Sequence, residues 1–115
     1  PKYVAKRIEK DLNGLIGKKI QMAGIAYKPE VSDLRESPAL MLIKELRNLG
    51  AQVSWCDPLV KEWLSEKSVD LSTNIDLGLI VTPHSSIDFG IWKQGQVKVF
   101  DLSATSKDFG WAKYL

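Results

Sequence analysis

A chain of 115 residues holds one domain with one modest core, and 44% hydrophobic with 26% charged residues is an ordinary globular balance. A net charge of +2 with no clustered basic face argues against a nucleic-acid partner, and no apolar run approaches the ~20 residues that cross a bilayer. The single cysteine, Cys56, excludes an internal disulfide and a Cys-rich metal site, and it points to a reducing, cytoplasmic setting. No signal-peptide pattern opens the chain. The start at Pro1 rather than Met reads as a piece cut from something longer.

Residues 2–13 form an amphipathic helix on paper: Val4, Ile8, Leu12 and Leu15 recur every three to four positions, and Asn13-Gly14 stops it. Residues 18–25, "KKIQMAGI", are expected as the first strand. A long charged loop follows, holding Tyr27, Lys28, Asp33 and Arg35. Ser37 is the expected N-cap and Pro38 the first helical residue of the next helix, with Leu42, Ile43, Leu46 and Leu49 as its buried stripe. Gly50 ends it.

"AQVSWC" is the second strand, closed by Asp57-Pro58. "PLVKEWLSE" is expected as a short helix with Val60, Trp63 and Leu64 inward. "LGLIVT" is apolar throughout, as a strand covered on both faces should be. "HSSIDFGIWKQG" reads as a short helix and "VKVFDL" as the last strand. The tail has no clear period, and a short terminal helix around Trp111 is a candidate. Strands alternating with helices predict an α/β fold: a small Rossmann-like three-layer sandwich with about four parallel strands in the order 2-1-3-4, preceded by one helix.

Ligands of open α/β sheets bind beyond the carboxyl ends of the strands. Residues 25–36, 57–58, 82–84 and 101–103 all fall there. Gly24 stands alone, so the G-x-G-x-x-G turn of a dinucleotide site is missing. Two readings of the loop stay open. In one, Lys28, Arg35 and the amides opening the Pro38 helix receive a phosphate. In the other, Arg35 pairs with Asp33 or Glu36, and Lys28 is solvated. Cys56, beside Trp55 at a strand end, reads as a packing residue. His84 has no Ser, Cys or metal-ligand partners, and it reads as a cap for the next helix. Asp57 reads as a turn residue, and the four Trp as core or interface. No metal site is expected.

"GIAYKPEVSDLRESPAL" followed by "ELRNLGAQVSWCDPLV" closely resembles the C-terminal, UDP-binding domain of the UDP-glucose/GDP-mannose (nucleotide-sugar 6-) dehydrogenase family, which includes UDP-N-acetylmannosamine dehydrogenases. Gly24, Tyr27, Lys28, Asp33, Arg35, Ser37, Pro38, Asp57 and Pro58 match its pattern, and "LIVTPHSSI" is similar to its strand ending T-x-H. The resemblance implies oxidation of a sugar C6 alcohol to a carboxylate with NAD as cofactor, held mainly by an N-terminal Rossmann domain. A cysteine nucleophile would come from the junction with a central domain, and Cys56 is not that residue.

Within these 115 residues the resemblance implies that Tyr27 and Lys28 bind the UDP-sugar and that Arg35 reaches toward NAD. Asp33 and Ser37 would position the loop, and no residue of the chain would be catalytic. Residues 1–16 would be the end of the connecting helix, and 17–115 the UDP-sugar-binding domain. The partners implied are a UDP-sugar and the N-terminal and central domains, with neither nucleic acid nor membrane, in an enzyme that forms homo-oligomers. One departure is Ser103, where many UDP-glucose members carry Arg; it tilts the reading toward a UDP-N-acetylhexosamine. The alternative is a non-catalytic Rossmann-like module for protein contact through the first helix and the Trp residues.

Overall fold

The first strand enters the middle of the molecule, and everything else is wound around it. We describe residues 1–103 and 109–114 of a computed structural model. Helix α1 spans Lys2–Asp11, strand β1 Lys19–Ala23, helix α2 Pro38–Asn48 and strand β2 Gln52–Cys56. Two short strands, β3 Glu62–Trp63 and β4 Glu66–Lys67, precede β5 Leu77–Ile80, helix α3 Gly90–Gln94, β6 Val99–Asp101 and β7 Lys113–Tyr114.

The main sheet has the order β2-β1-β5-β6-β7, and every neighbouring pair is parallel. Its first four members are the four expected strands in the expected order, since the β3-β4 pair forms a separate ribbon. Parallel neighbours require crossovers, which place α2 on one face and α3 on the other, while α1, ahead of β1, packs on the same side as α2. Ile20, Met22, Leu77, Leu79 and Phe100 point into the core beneath α1 and α2, where Ala5, Ile8, Leu42, Ile43 and Leu46 meet them. Alternate residues Ala23, Ile80 and Val99 face the opposite way, onto Ile87 and Trp92. The three-layer sandwich expected from the alternating pattern is therefore present.

Close contact explains two glycines. Trp92 lies flat over Gly78, where an added Cβ would stand 2.8 Å from the indole. Gly24, at φ +84°, ends β1 so tightly against the next crossing that a Cβ would fall 1.9 Å from the Thr82 carbonyl oxygen.

Three expectations are corrected. "PLVKEWLSE" is not a helix. Leu59 and Val60 are caught in a turn by the Asp57 carboxylate and carbonyl, and the chain then folds into the β3-β4 ribbon. Leu64 and Ser65 both have positive φ, the signature of a two-residue hairpin turn. The guanidinium of Arg47 pins the ribbon, donating to both carboxylate oxygens of Glu66 and to the Val53 carbonyl. A nine-residue helix is marginal by itself, and these long-range bonds outweigh it. Val60 is buried as expected, but Leu64 is exposed.

The tail is the second correction. Trp111 sits in a turn, not a helix, and the chain continues into β7 beside β6, giving the sheet a fifth strand. Phe109 and Trp111 stack edge to face with each other and gather around Phe89, which also touches Trp92. Burial of these rings, a tertiary effect, sets the path. Residues 104–108 and 115 lie outside the described residues. The third correction concerns the segment after β5, which is helical only over Gly90–Gln94.

Among the described residues no helix is long and apolar enough to cross a membrane, and no cluster of His, Cys, Asp or Glu is arranged to hold a metal ion.

Candidate functional site

The loop between β1 and α2, residues 24–37, rises from the carboxyl edge of the sheet, and its base is tied down at several points. Asp57, fully enclosed at the end of β2, is the main tie. Its Oδ2 accepts the N–H groups of Ile25 at 2.8 Å and Ala26 at 3.2 Å, while Oδ1 accepts that of Leu59. Thr82, just past β5, donates its hydroxyl to the Ala26 carbonyl at 2.8 Å. Ser37 donates to the Ile25 carbonyl at 2.6 Å and accepts the Ala39 N–H, so one side chain caps α2 and holds the loop's start. Pro38, at the first helical position, has no N–H to satisfy, so Ser37 serves the next amide, that of Ala39.

His84 is corrected from a helix cap to a buried link. Its Nε2 lies 3.0 Å from Asp57 Oδ2, and its Nδ1 accepts the Glu30 N–H at 2.9 Å. The Glu30 carboxylate accepts both the backbone N–H and the hydroxyl of Ser85. Asp57 is likewise more than a turn residue, because it joins the ends of β1, β2 and β5. The Asp-Pro after β2 and the T-x-H after β5 were visible in sequence at the same sheet edge. Their meeting was not, and nothing around Glu30 signalled its part.

Above this base the loop tip is open. The Tyr27 N–H donates to the Asp33 carbonyl at 2.6 Å, closing the tip into a small ring of chain. Asp33 and Arg35 form a forked pair: Nε and Nη2 reach the two carboxylate oxygens at 2.8–3.2 Å, and the Arg35 N–H adds a bond at 2.8 Å. Hydrogen bonding from Arg35, first by the side chain and then by the backbone, pulls the Asp33 carboxyl down to about 2, and the same contact raises the guanidinium's pKa. Tyr27, Asp33, Arg35 and Glu36 line a depression of about 470 Å³. The Arg35 side chain remains 89% exposed, so its outer edge faces solvent although its inner edge is engaged. Lys28 is exposed next to Tyr27 and makes no ion pair with a described residue. Thus Tyr27, Asp33 and Arg35 share one hollow, Lys28 stands beside it in the chain, and Ser37 works at the base.

Not every feature of that edge suits an anion. The amides of Ile25 and Ala26 are consumed by Asp57, and that of Gly24 donates to the Cys56 carbonyl. The turn after β1 therefore has no free amides with which to cradle a dinucleotide's pyrophosphate, and NAD does not fit there. Ser103 gives its N–H and hydroxyl to Asp101 Oδ1. Cys56 is half-buried, and burial, reinforced by the nearby Asp70 charge, pushes its thiol pKa up, the reverse of an activated nucleophile. A hollow of about 570 Å³ lies along β1 and β2 near Lys19 and Gln52, but its Arg47 is already spent on Glu66 and Val53.

Fold and site together define a small doubly wound domain whose sheet carries, at its ligand edge, a loop bearing Tyr27, Lys28 and Arg35 among three carboxylates. The chain belongs to the UDP-glucose/GDP-mannose dehydrogenase family, as its UDP binding domain, whose family model matches residues 21–106. It is 38% identical over 63 residues to a UDP-N-acetyl-D-mannosamine dehydrogenase of Campylobacter jejuni, a match covering 54% of this chain and 16% of that one. Its fold superposes on a UDP-N-acetyl-mannosamine dehydrogenase of S. aureus with a TM-score of 0.72 and 26% identity, covering 97% of this chain and 30% of the other. It superposes equally well on a UDP-glucose dehydrogenase of Pyrobaculum islandicum, with a TM-score of 0.73 and 23% identity over 99% of this chain and 28% of the other, a likeness of fold. The chain thus spans under a third of the length of these relatives.

Proposed function

We propose that this domain holds the nucleotide end of a UDP-sugar while the sugar's C6 alcohol is oxidised to a carboxylate by an NAD-dependent dehydrogenase of which the domain is a part. The observation that carries this reading is an exposed Lys28, without an ion pair among the described residues, beside the half-exposed Tyr27, on a loop whose base is fastened by buried bonds. Lys28 contributes a full positive charge to the diphosphate, and Tyr27 an apolar face beside it. Arg35 supplies a second cation. Asp33 holds that guanidinium by its inner edge and leaves the outer edge to meet the dinucleotide bound on a neighbouring domain. Asp33 and Ser37 position the loop.

Hydride acceptance belongs to NAD, and the residues around Gly24 offer it no cradle. The dinucleotide and the cysteine nucleophile therefore sit on domains outside these residues, with residues 1–16 as the joint to them. The working enzyme is a cytoplasmic homo-oligomer. The buried Ser103 supplies no cation at the end of β6, and the identity to a UDP-N-acetyl-D-mannosamine dehydrogenase favours a UDP-N-acetylhexosamine.

Titration of the chain with UDP, UDP-glucose, UDP-N-acetylmannosamine and GDP-mannose, followed by amide NMR, tests the reading. Shifts are expected at Tyr27, Lys28 and the start of α2, with the two UDP-sugars ahead of GDP-mannose. Lys28→Ala should weaken UDP binding by about 1–3 kcal/mol, the scale of a hydrogen bond to a charged group, with the thermal midpoint unchanged. An unchanged affinity would remove Lys28 from the site.

A further inference from the structure

Two residues after Lys28 the chain reverses through Glu30, whose φ of +69° is uncommon for a residue with a side chain. Something must hold it there. The imidazole of His84 does so by accepting the Glu30 N–H at Nδ1, 2.9 Å away. A ring nitrogen that accepts a peptide N–H carries no proton, so the ring's hydrogen sits on Nε2 and is donated to Asp57 Oδ2 at 3.0 Å. The ring itself is completely enclosed. Asp57 in turn grips the amides of Ile25 and Ala26, and the Glu30 carboxylate grips Ser85, the residue after His84. The pair Tyr27-Lys28 is thus held from both sides, and one imidazole joins the two grips.

We propose that His84 is a positioning residue for the anion-binding loop: acting through the Glu30 amide, it sets where Lys28 stands without touching the ligand. The inference rests on Lys28 as the diphosphate contact. Ordering the loop before the ligand arrives removes an entropy cost that binding would otherwise meet. The Asp57 side of the ring keeps a buried carboxylate partnered, which any well-folded variant must do. The Glu30 side is where stability and function separate.

Two substitutions divide the ring's two bonds. His84→Asn puts an acceptor oxygen where Nδ1 stood but is too short to reach Asp57. His84→Gln reaches Asp57 with its amide N–H but leaves Glu30 without its acceptor. Both should lower thermal stability. The Asn variant should bind UDP within about threefold of the unsubstituted chain and keep slow hydrogen exchange at the Glu30 amide. The Gln variant should bind about tenfold more weakly and exchange faster at Glu30 and Lys28. Equal losses in both variants, or none in either, would overturn the positioning role.

If the unsubstituted chain fails to bind UDP, the proposed function falls, and the exchange rates at Glu30 and Lys28 still decide the role of His84. The unsubstituted chain also carries a direct readout should both variants unfold. UDP should slow exchange at Glu30 together with Lys28, and an Nδ1 resonance typical of an unprotonated acceptor should persist. Slowing at Lys28 alone, or a protonated Nδ1, would refute the link.

Discussion

Arg35 takes the pairing that one of the two readings of the loop expected. Its Nε and Nη2 are taken by Asp33, and the rest of the side chain lies in solvent. The pair has a measurable signature. Arg35 holds the Asp33 carboxyl near 2, below the ordinary ~3.9. A carboxyl depressed in the folded state contributes stability that is fully present above its unfolded pKa and is lost as pH falls through the folded value. The loop pair should therefore stay closed down to about pH 3 and open toward pH 2. A carbon-detected NMR titration should place the Asp33 midpoint near 2, and Arg35→Ala should return it toward ~3.9. Arg35 is exposed and Asp33 partly so, and a solvent-screened pair adds little, so global stability should barely move with this titration. A midpoint unaffected by the Arg35 change would show that the fork does not form.

Among the elements, β1 is the one whose ending matters most. It runs between β2 and β5, and its last bend must pass the Thr82 carbonyl closely enough for Asp57 to collect the next two amides. Gly24 meets that demand twice, by its positive φ and by its missing side chain. Gly24→Ala would place a methyl group inside the van der Waals radius of a backbone oxygen that cannot swing away. We expect a loss of at least about 3 kcal/mol by urea unfolding, or failure to fold, well beyond the roughly 1 kcal/mol of an ordinary substitution. A Gly24→Ala chain as stable as the parent would mean that β1 and β5 do not approach as described. The helices are more forgiving. Helix α2 was readable from its Ser37-Pro38 start, its apolar stripe and its Gly50 stop, all local signals, and it lies within a residue of where they put it.

At the scale of the whole molecule, two cores sit on opposite faces of one sheet, and they differ in construction. The larger, under α1 and α2, is mostly aliphatic, with Trp55 and Phe100. The smaller is built on Trp92, which rests on Gly78, touches Phe89 and donates its indole N–H to the Ser72 carbonyl. Since α3 has only five residues, its one buried side chain, Trp92, covers much of that face. Trp92→Ala should cost about 3–5 kcal/mol, a large part of the 5–15 kcal/mol typical of a domain. Its loss should be seen in the urea midpoint and in simultaneous loss of the aromatic near-ultraviolet dichroism. A loss under 1 kcal/mol would show that the smaller core is dispensable.

The residue sequence by itself determined the alternation of strands and helices, the sheet order, the start of α2 and the family to which the loop motif belongs. Those properties are written in neighbouring residues: apolar period, a Ser-Pro cap, and fixed spacing from Gly24 to Pro58. Only the tertiary structure decided that "PLVKEWLSE" forms a ribbon instead of a helix, that the tail adds a fifth strand, and that His84 faces Asp57 and Glu30. Each of these depends on groups far apart in the chain: Arg47 with Glu66, Phe89 with Phe109, Glu30 with His84 across 54 positions. Local periodicity cannot register such pairs, because their energy appears only when the parallel sheet has brought its carboxyl ends together.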